Sequence, residues 1–550
     1  MPGPAPLLAA RGITKSFGGR NILDGLDLAV ADGARIGVLG PNGSGKSTLL
    51  SILARAGEAD AGEVTSRRDL VMAHLPQIVP GDARSAVATV LDSRPELRET
   101  EAELAAVEGR LSDAGTSSDM RALERALAHQ ERLLERWTAI GGGGAEGEAR
   151  SILRSLGLED GDLDAPTETL SGGQRKLVAL AACLARRPRL LLLDEPEAHL
   201  DMTRRSHLER LIGEFDGGVV MVSHDRYLLD ECVREIAELD GGRVRMWPGN
   251  YSAYTLARQL ELERQQQVWV SQRKEIARLE EAIRRFRQWA NLVPNERHIR
   301  QARVKQRQID SMDKVDRPVF ERRKMGLSLR GAARGGERVV ALSGADFAFG
   351  EDPVLLDVDL VVMRGERVGV VGPNGAGKTV LARVLAGELE PRTGSRWIGP
   401  SISVGYLSQA ADRLDTGLSV VDAVRFGRSI AEDEAVRKLM GFLFDYEQIR
   451  RAVGSLSGGE RTRLAFLLLM LDAPNCLVLD EPTNHLDIDS IEVLEDALER
   501  FDGTVIAVSH DRYFLDRIAD RIVVVADGQV RDYEGGWSAN AERVMAVTPA

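Results

Sequence analysis

The chain has 550 residues, well beyond the roughly 100–200 of one typical domain, so at least two cores are expected. With 43% hydrophobic and 28% charged residues it has the composition of a folded, water-soluble chain, and apolar runs such as Leu190 to Leu193 and Leu477 to Leu479 are strand-sized against the ~20 residues of a bilayer span. A net charge of −12 argues against general attraction to nucleic acid, while Cys183, Cys232 and Cys476 are too dispersed for a disulfide framework or a zinc ligand set and suit a reducing compartment. Arg11 and Lys15 follow a short apolar patch at Leu7 to Ala10, so no export signal is expected and a cytoplasmic location is.

Phe17 precedes an apolar strand, Ile36 to Leu39, which runs into GPNGSGKS at 40–47. Gly40, Pro41, Asn42, Gly43, Ser44 and Gly45 form a loop whose backbone N–H groups can surround phosphate oxygens as a helix opens near Thr48. Lys46 is placed to reach β- and γ-phosphates and Ser47 to ligate Mg²⁺. After Gln77, Leu104, Val107 and Leu111, then Leu123, Leu127 and Leu134, recur at helical intervals and predict a hairpin arm over about 96–140. Gly109, Gly115 and Ser117–Ser118 supply its turn, and the glycines at 141–144 close it. LSGGQ at 170–174 (Ser171, Gly172, Gly173, Gln174) starts another helix. LLLDEP at 191–196 ends a buried strand in Asp194, a candidate Mg²⁺ ligand with Gln77, and in Glu195, which can orient or deprotonate an attacking water. His224, in VSHDRY, is placed to hydrogen-bond a γ-phosphate.

From Tyr254 to Met325 the composition shifts to Arg, Gln and Glu. Ile276, Leu279, Ile283 and Phe286 mark one helix, Ile299, Ala302, Ile309 and Met312 a second, and Asn291 to Asn295 breaks the two. The expectation is an antiparallel helical hairpin with an exposed tip near Trp289 to His298, followed by a GAARGG tether at 331–336. Glu281 to Met325 carries 13 Lys/Arg against 6 Asp/Glu. Arg284, Arg285, Arg287, Arg297, Arg300, Arg303, Lys305 and Arg307 are therefore candidates for phosphate contact, with Trp289 and His298 able to stack on RNA bases. A passive spacer with a solvated charged face is the plainer alternative.

The second half repeats the first. Phe349, GPNGAGKT at 372–379 (Gly372, Pro373, Asn374, Gly375, Ala376, Gly377, Lys378, Thr379) and Gln409 stand 332 residues after their counterparts. LSGGE at 456–460 (Ser457, Gly458, Gly459, Glu460), Asp480, Glu481 and His510 stand 286 after theirs, so the first half holds about 46 extra residues, within the arm region. Thr379, Gln409 and Asp480 are the second candidate Mg²⁺ set, Glu481 and His510 the second candidate catalytic pair. Phe17 and Phe349, each unremarkable alone, fall at equivalent places where an aromatic face can stack on adenine.

A phosphate loop marks many nucleotide hydrolases; with LSGGQ and LSGGE added, the chain resembles the ATP-binding-cassette superfamily. That resemblance implies two α/β P-loop cassettes closing head to tail, each signature segment meeting the γ-phosphate held by the opposite cassette. Site one would join Phe17, Lys46, Ser47, Gln77, Asp194, Glu195 and His224 to Ser457, Gly458 and Gly459; site two joins the second set to Ser171, Gly172 and Gly173. DEPTNHLD at 480–487, the VSHDRYLLD and VSHDRYFLD pair, and WPGNYSAY and YEGGWSAN after each cassette resemble the ABC-F family over nearly the whole chain. The family implies a cytoplasmic monomeric ATPase using ATP and Mg²⁺ on the ribosome, its linker reaching rRNA and tRNA between the exit site and the peptidyl-transferase centre. It would modulate translation or protect the ribosome from antibiotics, without stable membrane insertion and without DNA. The expected domains are 1–253, a linker at 254–330, and 337–550. DEPEAHLD at 194–201 departs from the family pattern, with Glu197 and Ala198 in place of Thr and Asn, so unequal hydrolysis at the two sites is expected. The rival reading is an ATPase subunit of a transporter with a separate membrane partner, which would not need a basic hairpin.

Overall fold

A computed structural model describes residues 6–114, 120–292, 296–312, 336–408 and 414–547, except for the side chains of 112–114, 120–122, 289–292, 296 and 298. The side chains of Trp289 and His298, and Gln409, the Ser117–Ser118 turn and nearly all of the GAARGG tether, thus lie outside what is described. The chain divides into two compact units, Met1–Asn250 with Leu327–Ala550, and Tyr251–Gly326. Both repeats belong to the first.

In the first repeat, β1 (Leu8–Phe17), β2 (Arg20–Val30) and β4 (Ala61–Ser66) form an antiparallel sheet in the order β2-β1-β4. A six-stranded sheet, β5-β6-β7-β3-β8-β9, is built from β3 (Arg35–Leu39), β5 (Met72–Leu75), β6 (Leu190–Asp194), β7 (Gly218–Val222), β8 (Glu235–Asp240) and β9 (Arg243–Pro248). All its pairings are parallel except β8 with β9. Every residue of β6 and β7 is buried, as their unbroken apolar sequences require of strands covered on both faces.

The second repeat copies this plan. β10 (Arg338–Phe349), β11 (Asp352–Met363) and β13 (Thr393–Ile398) form the antiparallel sheet. β12 (Arg367–Val371), β14 (Val404–Leu407), β15 (Cys476–Asp480), β16 (Thr504–Val508), β17 (Arg521–Ala526) and β18 (Gln529–Glu534) form the larger sheet in the order β14-β15-β16-β12-β17-β18. The register decides where the chemistry emerges. Asp194 pairs with Val222 and Asp480 with Val508, so Asp-Glu and Ser-His leave each sheet side by side, at the carboxyl edge where α/β sheets bind ligands.

The extra residues of the first repeat form helices Pro95–Ala114 and Met120–Ala139, packed on each other with Val107 and Leu133 buried. Gly109 lies inside the first arm helix instead of in a turn. Leu127 and Leu134 are 49% and 46% exposed, because the inward face of the second helix runs through Leu123, Ala126, Gln130, Leu133 and Trp137. The closing glycines adopt a short 3-10 turn, and a Cβ on Gly142 would stand 2.3 Å from the Trp137 indole.

The second unit contains helices Tyr251–Leu292 and Glu296–Asp310. A narrow seam holds them: Leu279, Ile283, Ala302 and Ile309 are buried, with Phe286 and Met312 against them. Ile299, expected on the seam, is 45% exposed in the first turn of its helix, and the first helix continues through Asn291 and Leu292, which were expected to break it. Among the described residues no helix is long and apolar enough to cross a membrane.

Candidate functional site

Each phosphate loop turns on a glycine that no other residue could replace without displacing backbone. Gly40 has φ 155°, and a Cβ there would stand 2.3 Å from the Leu239 carbonyl oxygen; Gly372, at 152°, faces the Val525 carbonyl at 2.0 Å. Helices Lys46–Leu53 and Lys378–Ala386 then start at the lysine itself, two residues before Thr48 in the first repeat. Lys46 Nζ donates to the Gly40 and Pro41 carbonyls at 2.7 and 3.1 Å, and Lys378 Nζ to those of Gly372 and Pro373 at 2.9 and 2.7 Å. Burial lowers both ammonium pKa values against the opposing pull of nearby carboxylates, Asp487 and Glu195 for Lys46 and Glu481 for Lys378. Such partly desolvated cations at a helix N-terminus suit a polyphosphate.

The Ser47 hydroxyl faces Asp194 and pulls its pKa down against the effect of burial, and Thr379 Oγ1 donates to Asp480 Oδ1 at 3.2 Å. Burial raises both aspartates, and Asp194 Oδ1 is buried without a hydrogen-bond partner among the described residues. A hydroxyl oxygen beside a carboxylate with an oxygen to spare fits a hard cation such as Mg²⁺. Gln77, the third candidate ligand, donates from Nε2 to Glu195 Oε1 at 2.9 Å.

Glu195 and Glu481 both sit at positive φ, 47° and 49°, a sparsely populated region for a residue with a side chain. Their N–H groups are held by the Val222 and Val508 carbonyls at 2.8 and 2.9 Å, which swing each glutamate off its strand toward the histidine. His224 Nε2 lies 3.9 Å from Glu195 Oε1, and His510 Nε2 3.4 Å from Glu481 Oε1. Burial, reinforced by Lys46, pushes the His224 imidazole down to about 4; burial, reinforced by Lys378, pushes His510 well below its ordinary value. Both rings are therefore neutral at pH 7. Glu481 is 8% exposed, and burial pushes its carboxyl up to about 7.

The repeats part company at Glu197. Its Oε1 accepts from Ser223 Oγ at 2.7 Å, His224 N at 3.0 Å and Asp225 N at 3.4 Å, and burial raises its pKa. The corresponding Thr483 reaches only Ser509 Oγ, at 3.5 Å, and there the His510 N–H goes to Glu481 Oε2 at 3.3 Å. Lys176, also buried, lies within the field of Glu197 and donates to the Gln77 carbonyl at 3.2 Å; its counterpart is Thr462.

Both signature helices begin with a capping box. Ser171 Oγ accepts from Gln174 N at 3.2 Å while Gln174 Oε1 accepts from Ser171 N at 2.9 Å, and Ser457 with Glu460 does the same at 3.3 and 2.8 Å. The Gln174 and Glu460 side chains, grouped by sequence with the phosphate-facing residues, are thus engaged in their own helix starts. Gly173 and Gly459 admit a backbone neighbour, for a Cβ would meet the His199 or His485 carbonyl oxygen at 2.6 or 2.4 Å.

The two repeats meet through these segments. Asn42 N donates to Asp487 Oδ2 at 2.9 Å and Asn42 Nδ2 to the His485 carbonyl at 3.3 Å. Reciprocally, Asn374 N donates to Asp201 Oδ2 at 3.4 Å and its Nδ2 to the His199 carbonyl at 3.1 Å. A cavity of about 680 Å³ is lined by Gly43, Lys46, Ser47, Thr48, Gln77, Glu195 and His224 of the first repeat and by Ser457, Gly458, Gly459 and His485 of the second, a size typical of small-molecule sites. Sequence reasoning missed Ile22 and Arg205, which also line it and belong to no motif recognised by chemistry alone, and gave no site role to Glu197 and Asn484, which line it from within DEPEAHLD and DEPTNHLD. Phe17 does not line it; Phe17 and Phe349 are 55% and 57% exposed, with Lys15 over the Phe17 ring and Phe347 edge-on to Phe349. In the separate helical unit, Arg284, Arg285, Arg287, Arg297, Arg300, Arg303 and Arg307 are exposed and Lys305 is half-buried.

Comparison with known proteins agrees along the chain. Two family profiles, both described as ABC transporter, match residues 23–198 with 355–484 and residues 237–329. The energy-dependent translational throttle protein EttA of Escherichia coli is 34% identical over 95% of this chain and 93% of its own. ABC transporter F family member 5 of Arabidopsis thaliana is 32% identical over 96% of this chain and 76% of its own. The solved structure of RNase-L Inhibitor superposes with a TM-score of 0.62 at 20% identity, covering 98% of this chain and 92% of its own, a likeness of fold. With these relatives matched along almost the whole chain, and with the phosphate loop of one repeat facing the signature of the other, the chain belongs to the ABC-F family of ATP-binding-cassette proteins and is an ATPase.

Proposed function

We propose that this ATPase acts on the ribosome in translation, with ATP closing the two cassettes and hydrolysis opening them. ATP held by Lys46 and its loop meets Ser457, Gly458 and Gly459 of the opposite cassette; ATP held by Lys378 meets Ser171, Gly172 and Gly173. Each nucleotide bridges two surfaces and so favours the closed state by its differential affinity. Glu195 and Glu481 orient and deprotonate the attacking water, while neutral His224 and His510 bond the γ-phosphate. Phe17 and Phe349 offer their exposed faces to adenine. Mg²⁺, held by Ser47, Gln77 and Asp194 and by Thr379, Gln409 and Asp480, would neutralise charge on the β- and γ-oxygens. Cleavage of the γ-phosphate bond removes the bridge, and the cassettes part.

The observation that carries the ribosomal reading is the outward set of arginines on the helical hairpin of a chain whose net charge is −12. A local basic face on an acidic protein suits rRNA and tRNA backbones, and the throttle protein relative is named for translation. The test is gradient sedimentation of the Glu195→Gln/Glu481→Gln variant with ATP and 70S particles. Cosedimentation is expected, with neutralisation of Arg284, Arg285, Arg300 and Arg303 lowering the slope of log affinity against log salt by roughly 3. A trapped chain that stays at the top of the gradient overturns the ribosomal reading.

A further inference from the structure

Two residues beyond each histidine, the sequence SHDRY places an arginine and a tyrosine that the chemistry above does not use. Arg226 is 5% exposed and forks onto Glu495, 1% exposed, with Nη1 to Oε2 at 3.0 Å and Nη2 to Oε1 at 2.5 Å; it also reaches Asp511 at 3.2 Å. Arg512, 8% exposed, forks in the same way onto Glu209, with Nη1 to Oε2 at 3.2 Å. Arg226 and Arg512 are 286 positions apart, as are Glu209 and Glu495, so one contact is made twice, reciprocally, between the cassettes. Tyr227 and Tyr513 fill the space between the forks, edge to face at 5.5 Å, with Arg512 over the Tyr227 ring and Arg226 over that of Tyr513.

We propose that these reciprocal Arg–Glu pairs are positioning residues forming a clasp that seats each histidine loop against the opposite cassette and links closure at one ATP site to closure at the other. Arg226 opens the helix that follows His224 and Asp225, while Glu495 lies on the helix capped by Asp487, whose other oxygen holds Asn42 in the phosphate loop of site one. Both ends of site one are therefore tied by one buried ion pair, and the Arg512–Glu209 pair does the same for site two. The linkage between sites runs through Arg226 to Asp511 and through Arg205, which donates to Asp225 and to the His510 carbonyl. A buried guanidinium–carboxylate fork is worth most as a pair, because removal of one partner strands the other charge away from water.

The inference rests on ATP-driven closure, and its test separates the two. The three native cysteines are buried, so one exposed cysteine introduced in each cassette can carry a fluorophore pair that reports closure in the full chain. Arg512→Met and Glu209→Gln are each expected to lower the ATP-induced closing constant by at least about 100-fold, with the affinity of the open chain for a fluorescent ATP analogue unchanged within about twofold. The double variant should lose no more than the worse single, as coupled partners do, and Arg512→Lys, which keeps the charge without the fork, should fall between. A chain that does not close with ATP at all refutes the closure reading. Closure that persists in the variants, or single losses that multiply in the double, overturns the clasp while leaving closure intact.

Discussion

The two ATP sites share a backbone plan and differ in who holds the histidine loop. At site two the loop N–H of His510 goes to Glu481 itself, a buried carboxyl raised to about 7. At site one Glu197 takes the Ser223 hydroxyl and the His224 N–H, and Glu195 is left to the Gln77 amide, 23% exposed. One carboxylate thus serves two tasks at site two, and two divide them at site one. Lys176 accompanies the extra acid, where the second repeat has threonine at both corresponding places. A duplicated machine can carry such an acid and base in one copy because the exchange is local: Lys176 lies within the field of Glu197, and the sheet edge that positions the loop is unchanged.

The largest expected effect comes from breaking both copies at once. A positioned general base contributes about 10²–10⁴-fold, so Glu195→Gln/Glu481→Gln should lose at least about 100-fold in kcat while still binding ATP. The single variants sharpen the comparison. If divided labour makes the sites unequal, Glu195→Gln and Glu481→Gln will leave different residual single-turnover rates; equal residual rates would show that Glu197 changes the geometry without changing the chemistry.

A smaller effect concerns the charge pair itself. Glu197→Thr copies the second repeat but leaves the Ser223 hydroxyl and the His224 N–H short of an acceptor and deprives Lys176 of a neighbouring negative charge. An unsatisfied buried group costs about 1–3 kcal/mol, and a loss of that order is expected in urea unfolding. Glu197→Thr/Lys176→Thr removes the stranded charge and should recover about half of the loss or more. A double variant as unstable as the sum of its singles would mean that the two side chains act independently.

Most of the site could be read from the chain because it consists of backbone-determined motifs. Gly40 and Gly372 are dictated by a carbonyl that leaves no room for a Cβ, and Asp194 and Asp480 by strands whose unbroken apolar sequence marks them as buried on both faces. What escaped reading depends on partners distant in sequence. Glu197 reads as a mere departure from pattern until Ser223 is seen beneath it, and Arg226 and Arg512 acquire a role only when Glu495 and Glu209 arrive from the other repeat, 269 and 303 positions away. The arm failed in a different way. Leu127 and Leu134 fit a helical period as well as Leu133 does, and only the packing of the two arm helices on each other decides which stripe faces inward.

The smallest expected effect is a contrast in acid sensitivity between the nucleotide-free sites. His224 folds with its pKa near 4 from an ordinary 6.5, so between those values the unfolded chain binds the extra proton and stability falls as pH falls. The part of that range above pH 5 sets a ceiling of roughly 2 kcal/mol. His510 acts with the same sign. Glu481 opposes it at site two: raised from 4.5 to about 7, its carboxyl takes up a proton in the folded chain first and favours the fold as pH falls through that window. Urea unfolding at pH 7.5, 6 and 5 should therefore show a shallower acid loss for His224→Gln than for the unsubstituted chain, and a steeper one for Glu481→Gln. Parallel pH profiles for all three would mean that neither His224 nor Glu481 is held off its ordinary pKa, and the electrostatic half of the contrast between the sites would fall.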